Sequence, residues 1–446
     1  MDVKEIQEKI KAADIDSLRI DFTDLHGVCR SKLVPARRLE AMLEEGLHHA
    51  QATYALDLSN NVAMGTGCGD EVEWRDMIIR PDLNTFAVLP HMEKTARLIG
   101  NSYREDGSPH PVDPRNVLIN VIKRYEEKGL RPVSASELEF FMFTQSEGCE
   151  PEYYNPGLSC VYQVNPIIDR QGILRLLQNT FLELGLEIIY LNSEFFPGQF
   201  EVNWKYDHAL TMADQTFTFK YVCKEIAAMN DLLLTFMGCP RTEGGGSGYH
   251  VHLSLSDADS RKNLFDDPNG KEGMSELMRH FLGGQMAHAK EMAAFLAPTV
   301  NSYKRYVPDS FAPFYLGWGR DNRTVYCRVP DERGPATRVE NRLPCAAANP
   351  YLVMASLFAA GLDGIENKID PGEPSTGDIY GAEPGTFDTV TLYFRDALKD
   401  LEQSSFMREA LGPEVVQAFI ALKSHELDRY RTFVSDWEFN EYSYHL

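Results

Sequence analysis

The sequence predicts an α+β protein in two parts, a small β-rich N-terminal domain over residues 14–105 and a larger domain over 110–446. Three observations predict it. Leu18, Ile20 and Phe22 alternate with polar residues, the period of a half-buried strand. The polar stretch NSYREDGSPHPVDPRN, rich in Pro, Gly and Asp, interrupts the chain as a boundary would. Beyond it, helical stretches alternate with strand-like ones to the C-terminus, as expected for helices packed on a sheet.

Taken in order, residues 3–12 read as a short helix, and SLRIDFTDLHGVCRSKLVP reads as a hairpin. Leu25-His26-Gly27 supplies the turn, and Val28 to Val34 returns. Residues 36–47 look helical, and DMIIRPDLNTFAVLP continues in short β-like pieces. After the boundary, Asp113 caps a helix with Pro114 at its first position. Val117, Leu118, Val121, Ile122 and Tyr125 form its buried face, and Gly129 ends it. Further helices are expected near 170–185, 211–229, 275–296 and 346–366, and strands near 133–143, 186–204, 232–238, 249–255, 323–329 and 337–343. The Gly/Pro-rich stretch 369–386 reads as a long surface loop.

The 446 residues suffice for two or three domains. A hydrophobic content of 43% with 25% charged residues is that of a soluble globular protein. No apolar run reaches membrane-spanning length, and the N-terminus lacks a secretory signal. Cysteines at 29, 68, 149, 160, 223, 239, 327 and 345 form no CxxC pair, which suits reduced thiols in a cytoplasmic protein. A net charge of −22 argues against nucleic acid or an anionic membrane as partner.

The chemistry-bearing residues fall inside strand-like segments. Glu137 and Glu139 lie in ASELEFFMF, Glu194 and Glu201 in SEFFPGQFEVNW, His250 and His252 in GGGSGYHVHLSL, and Glu340 in TRVENRLP. A spacing of two places Glu137 and Glu139 on one face of a strand. Two ionised carboxylates about 4 Å apart repel by roughly 4 kcal/mol even at an effective dielectric of 20, so such a cluster needs cations. Oxygen-rich sites with an imidazole favour Mg²⁺ or Mn²⁺ over zinc. Arg305, Arg323, Arg328 and Arg342 add forks for carboxylate or phosphate. Any one of these elements is common; their combination points to metal-assisted phosphoryl transfer.

At these residues the chain resembles the glutamine synthetase family. ASELEFF, SEFFPGQFE, GGGSGYHVHLSL, PTVNSYKRYVP, WGRDNRTVYCRVP and TRVENRLPCAAANPYL occur in the family's order, close to its spacing and over nearly the whole length. The resemblance implies a small N-terminal β-grasp-like domain packed on a larger catalytic domain, whose curved antiparallel sheet is flanked by helices. It implies an ATP-dependent ligase that phosphorylates the side-chain carboxylate of glutamate and lets an amine displace the phosphate. Two or three Mg²⁺ or Mn²⁺ ions are implied as well. Glu139, Glu194 and Glu201 resemble the ligands of one metal, and Glu137, His250 and Glu340 those of another. Arg305 and Arg342 resemble glutamate or transition-state contacts, and Arg323 and Arg328 phosphate contacts. Gly246 falls where the substrate amino group is held, and His252 and Ser254 fall near the nucleotide. The family assembles as stacked hexameric rings whose sites form between neighbouring subunits, so a homo-oligomer, a dodecamer, is expected.

Three departures concern the acceptor. Six positions after Arg305, where glutamine synthetases carry an acidic flap residue, this chain has Phe311. Asp57 aligns with the aspartate that helps bind and deprotonate ammonium, but Leu58-Ser59-Asn60 replaces the usual Gly-Ser-Ser. Gly245 replaces an Asn that contacts glutamate. These features are similar to the γ-glutamylpolyamine synthetase branch. The expected substrates are therefore glutamate and an organic amine: a polyamine, an alkylamine or an amino alcohol. The alternatives are a true glutamine synthetase using ammonium, and an inactive structural member of the family. The flanks of Tyr380 differ from those of the tyrosine that some family members modify.

Overall fold

The computed structural model describes residues 1–145, 148–155, 157, 161–307, 310–383 and 385–446. Among them, two sheets organise the chain. The first has six strands: β1 (Ser17–Thr23), β2 (Cys29–Pro35), β3 (Leu47–Ala50), β4 (Asp76–Pro81), β5 (Ala87–Val88) and β6 (Thr95–Tyr103). β1 and β2 form the expected antiparallel hairpin, and β1 pairs in parallel with β6. Helix α1 (Val3–Ala12) is closed by an Asp2 capping box with Glu5. The segment expected to be helical over 36–47 is instead a 3₁₀ turn, Ala36–Arg38, then α2 (Leu39–Glu45). Gly46 ends α2, and Leu47 already opens β3.

The second sheet has ten strands around one long central strand, β7 (Leu130–Thr144). β8 (Glu152–Tyr153), β9 (Ile188–Ser193), β10 (Gln199–Trp204), β11 (Asp207–His208), β12 (Leu232–Thr235), β13 (Tyr249–Asp257), β14 (Trp318–Arg320), β15 (Cys327–Val329) and β16 (Val339–Asn341) complete it. The main order is β14-β15-β16-β13-β7-β10-β9, antiparallel except for β14 with β15. Leu138 and Phe140 on β7 are fully buried, and Phe140 packs on Phe219 of helix α5 (Ala209–Ala228). The odd-numbered positions between them point the other way, which is how one face becomes core and the other a site.

Helices α3 (Pro114–Glu126), α4 (Ile173–Glu183), α6 (Glu276–Ala287), α7 (Ala289–Leu296) and α8 (Pro350–Glu366) join α5 in the larger part. The helix expected over 275–296 breaks at His288, whose φ of −100° and ψ of 11° leave the helical region. Four further helices follow: α9 (Phe394–Gln403), α10 (Ser405–Leu411), α11 (Pro413–Arg431) and α12 (Asp436–Tyr442). No described helix is long and apolar enough to cross a membrane. Cys68, Cys223, Cys327 and Cys345 are buried free thiols, whereas Cys149 is exposed; Cys160 lies outside the described residues.

The two sheets are tied by buried charge. Arg115 of α3 is bidentate to Asp214 of α5 at 2.8 Å and reaches Asp82 at 2.9 Å. Tyr221 of α5 donates to Asp21 of β1 at 2.8 Å, and Arg19 pairs with Asp21 at 3.0 Å. Such pairs are costly to break because one partner is then left buried and uncompensated.

Candidate active site

Register assembles the acids. On β7 and β10, Glu139 faces Glu201 and Glu137 faces Asn203. On the other side of β7, His250 of β13 faces Glu137, and His252 faces Glu340 of β16. Glu194 is not in a strand; it starts the turn that joins β9 to β10. Arg305 ends a 3₁₀ turn, Val300–Arg305, and Arg342 follows β16 directly. The strand expected over 323–329 shrinks to Cys327–Val329, so Arg323 sits in the preceding turn. That turn lets Arg323 and Arg328 line one cavity, which two residues five apart on a continuous strand would not do.

One group forms around Glu137 and Glu340. His250 Nδ1 lies 2.7 Å from Glu137 Oε1, and His252 Nε2 lies 3.6 Å from Glu137 Oε2. Glu340 takes Arg328 Nη1 at 2.6 Å and Arg342 Nη1 at 2.5 Å. Burial alone would raise the Glu137 carboxyl, but the hydrogen bonds and charges of His250 and then His252 hold it well below the usual range. Burial works the same way on Glu340, and Arg342 and His252 outweigh it. Glu137, His252 and Glu340 offer ligand atoms that all lie within 4.8 Å of one another. His252 is the imidazole of that set, and His250 Nδ1 also lies 3.9 Å from Glu340 Oε1, so both imidazoles stand at these two carboxylates.

A second group forms around Glu139. Its Oε2 accepts from Gly248 N at 2.8 Å and from Gln199 Nε2 at 3.0 Å, and Gln199 also donates to the Gly246 carbonyl. A Cβ at Gly248 would lie 3.1 Å from Arg305 Nη2, 3.1 Å from Glu139 Oε1 and 3.0 Å from His250 Nε2, so these three groups converge there. Glu194 is raised to about 7 by burial and by the charges of Glu139 and Glu137. Glu201 is pushed well above the ordinary range by burial and by Glu137, Glu139 and Glu194. Carboxylates that push one another up in this way form a donor set for a hard divalent cation, which would neutralise them and polarise phosphoryl oxygens.

Beside these groups a cavity of about 1330 Å³ is lined by Glu137, Glu201, His252, Ser254, Arg323, Arg328, Thr337 and Arg338, among others. Arg338 Nε lies 3.2 Å from His252 Nδ1. The size and the arginine-rich wall suit a nucleoside triphosphate. Gln199, Asn192, Asn203 and Arg338 were not singled out from the sequence. Gln199 stands inside the PGQFE segment, and its neighbours Glu194 and Glu201 were the available signal. Asn203 Nδ2 holds Glu201 Oε1 at 2.7 Å, and Asn192 reaches Glu194 at 3.3 Å.

Two residues expected on the acceptor side, Phe311 and Asp57, stand apart. Phe311 is exposed, takes a left-handed backbone conformation, φ 59°, and stacks on Phe195 with ring centroids 5.1 Å apart. Asp57 does not line the large cavity. Its carboxylate accepts from Ser59 N and Asn61 N at 2.8 Å and pairs with Arg429 of α11. Burial opposes ionisation there, but the Asn61 and Ser59 hydrogen bonds and Arg429 bring Asp57 down to about 2. At Gly245, a Cβ would lie 2.1 Å from the Phe196 ring, so the ring fills the space an Asn side chain would need.

Residues 111–442 match the family model "Glutamine synthetase, catalytic domain". A glutamine synthetase of Halobacterium salinarum is 35% identical over 446 residues, covering 98% of this chain and 95% of that protein. A gamma-glutamylethanolamide synthetase, GlnA4, of Streptomyces coelicolor is 36% identical over 444 residues, covering 98% and 94%. The solved structure of apo GmaS without ligand superposes with a TM-score of 0.87 at 33% identity, covering 99% of both chains. A GmaS/ADP complex gives 0.87 at 32%, with the same coverage. On this match, over fold, length and site order, the chain belongs to the glutamine synthetase family of ATP-dependent carbon–nitrogen ligases.

Proposed function

We propose that the protein joins the γ-carboxylate of glutamate to an organic amine. Glutamate is activated as γ-glutamyl phosphate, ADP leaves, and the amine nitrogen displaces phosphate. Arg323 and Arg328 hold ATP phosphates, and His252 and Ser254 lie along the nucleotide cavity. Arg305 takes the glutamate carboxylate, the Gly246 backbone takes its amino group, and Arg342 offsets developing charge. Glu139, Glu194 and Glu201 hold one Mg²⁺ or Mn²⁺, and Glu137, His250 and Glu340 hold another; when bound, these ions supply charge neutralisation. Each role rests on the match of motif and on the convergence described above.

The observation that carries the choice of acceptor is Phe311. A benzyl ring occupies the loop position that the family resemblance assigns to an acid, and it stands exposed rather than packed into the core. An aromatic ring can neither accept a proton from ammonium nor bind it as a carboxylate does, yet it offers apolar surface to a carbon-bearing amine. The GlnA4 relative, named for ethanolamide synthesis, matches as well as the glutamine synthetases do, so identity alone favours neither acceptor. Asp57 supports binding of a cationic amine, but a carboxylate near 2 is a weak base. Its distance from the large cavity accords with a site completed by a neighbouring subunit in a dodecamer.

Phosphate release measured with glutamate, ATP and a panel of amines tests the proposal. An organic amine should exceed ammonium in kcat/KM. Efficient turnover of ammonium with no gain from any larger amine would overturn it.

A further inference from the structure

Glu139, Glu194 and Glu201 share a feature that the roles above leave unused: each accepts a hydrogen bond from a different carboxamide. Gln199 Nε2 donates to Glu139 at 3.0 Å, Asn192 Nδ2 to Glu194 at 3.3 Å and Asn203 Nδ2 to Glu201 at 2.7 Å. All three amides are buried, and all come from one antiparallel pair, Asn192 on β9 and Gln199 and Asn203 on β10. An ionised carboxylate can only accept, so these contacts also decide which end of each amide faces the acid.

Register gives Asn203 a particular place. Glu139 with Glu201, and Glu137 with Asn203, are successive same-face pairs across β7 and β10. Three corners of that square are carboxylates and the fourth is an amide. An acid at the fourth corner would face Glu137 directly and stand beside Glu201, where like charges destabilise the pairing.

The two groups of acids are also held by different chemistry. Glu340 is paired with two guanidinium groups, and Glu137 with two imidazoles. Around the other three glutamates the donors are neutral. Besides the carboxamides they are backbone N–H groups, Gly248 to Glu139 and Phe195 to Glu194. A neutral donor orients a carboxylate without cancelling its charge, whereas a lysine or arginine there would compete with a cation.

We infer that Asn192, Gln199 and Asn203 are positioning residues for the cation that Glu139, Glu194 and Glu201 would hold. Each orients one carboxylate and leaves its charge to the metal. The inference rests on the metal-holding role proposed for the three glutamates and extends it to side chains that need not touch the ion. Gln199 Nε2 also reaches the Gly246 carbonyl at 3.1 Å, so its loss would disturb a second segment, and the two asparagines give the cleaner test.

Both asparagines line the large cavity, so metal binding is best measured without nucleotide. The experiment is a Mn²⁺ titration of the assembled, nucleotide-free protein by electron paramagnetic resonance, in wild type, Asn203→Ala and Asn192→Ala. Each variant should bind Mn²⁺ about tenfold or more weakly, while the melting temperature of the metal-free protein stays close to that of wild type. Asn192→Ala, on the other strand, carries the test if Asn203→Ala does not assemble. Wild-type affinity in the variants would overturn the positioning roles and leave the metal site standing. A marked fall in metal-free melting temperature, or failure of both variants to assemble, would make the amides structural and overturn the inference as well. If wild type itself binds no Mn²⁺, the metal-holding role on which the inference rests falls with it.

Discussion

Glu139 on β7 and Glu201 on β10 are direct register partners, so strand pairing itself sets two carboxylates side by side. Glu194 arrives from the adjoining turn; burial and the charge of Glu139 raise its carboxyl, and burial with Glu137, Glu139 and Glu194 raises that of Glu201. The fold thus maintains an electrostatic tension that a cation would relieve.

That tension sets a pH dependence. In the metal-free protein the Glu194 carboxyl sits at about 7 and Glu201 higher, so both hold protons at pH 6. A raised carboxyl is a penalty on the fold that grows as pH rises past its ordinary range, and a bound cation removes it. Mn²⁺ binding should therefore release protons, and affinity should rise about fivefold or more from pH 6 to pH 7. Calorimetry in buffers of different ionisation enthalpy measures both quantities; a pH-independent affinity would contradict the grouping.

Glu340 is bound to Arg328 and Arg342, all three largely buried. Glu340→Gln keeps the volume but leaves two guanidinium groups without their charge partner. A loss of about 3 kcal/mol or more in stability is expected. Activity should fall with it. A melting temperature equal to that of wild type would show that the trio carries no such energy.

At Gly245, the added methyl of Gly245→Ala would meet the Phe196 ring at 2.1 Å. Overpacking of this kind costs about 1–3 kcal/mol. The double variant Gly245→Ala/Phe196→Ala should recover most of the loss. Additive losses in thermal unfolding would separate the two positions.

Asp57, near 2, stays ionised across the working range. Asp57→Asn should raise the amine KM without removing the acidic limb of the pH–rate profile. Disappearance of that limb would instead make Asp57 the titrating base.

Much of the site was legible because period two is a strong signal over a strand as long as β7. Glu137 and Glu139 could be read onto one face, and Pro197-Gly198 marked the turn beside Glu194. The short strands were not legible in the same way. β15 and β16 have three residues each, too few for a period, so Arg323 was placed on a strand that begins only at Cys327. The parallel pairing of β1 with β6 joins segments far apart in sequence, which local pattern cannot show. Helix α9 buries Phe394, Ala397, Leu398 and Leu401, a helical spacing present in the sequence but not singled out. Phe195 gave one signal, an aromatic left exposed beside an acid in a turn, and only the structure supplied its partner Phe311.

The most direct measurement is competition. The enzyme, given glutamate, ATP and Mn²⁺ with equimolar ammonium, butylamine, ethanolamine and putrescine, should yield γ-glutamyl amides in excess of glutamine by mass spectrometry. Glutamine as the dominant product would contradict the account.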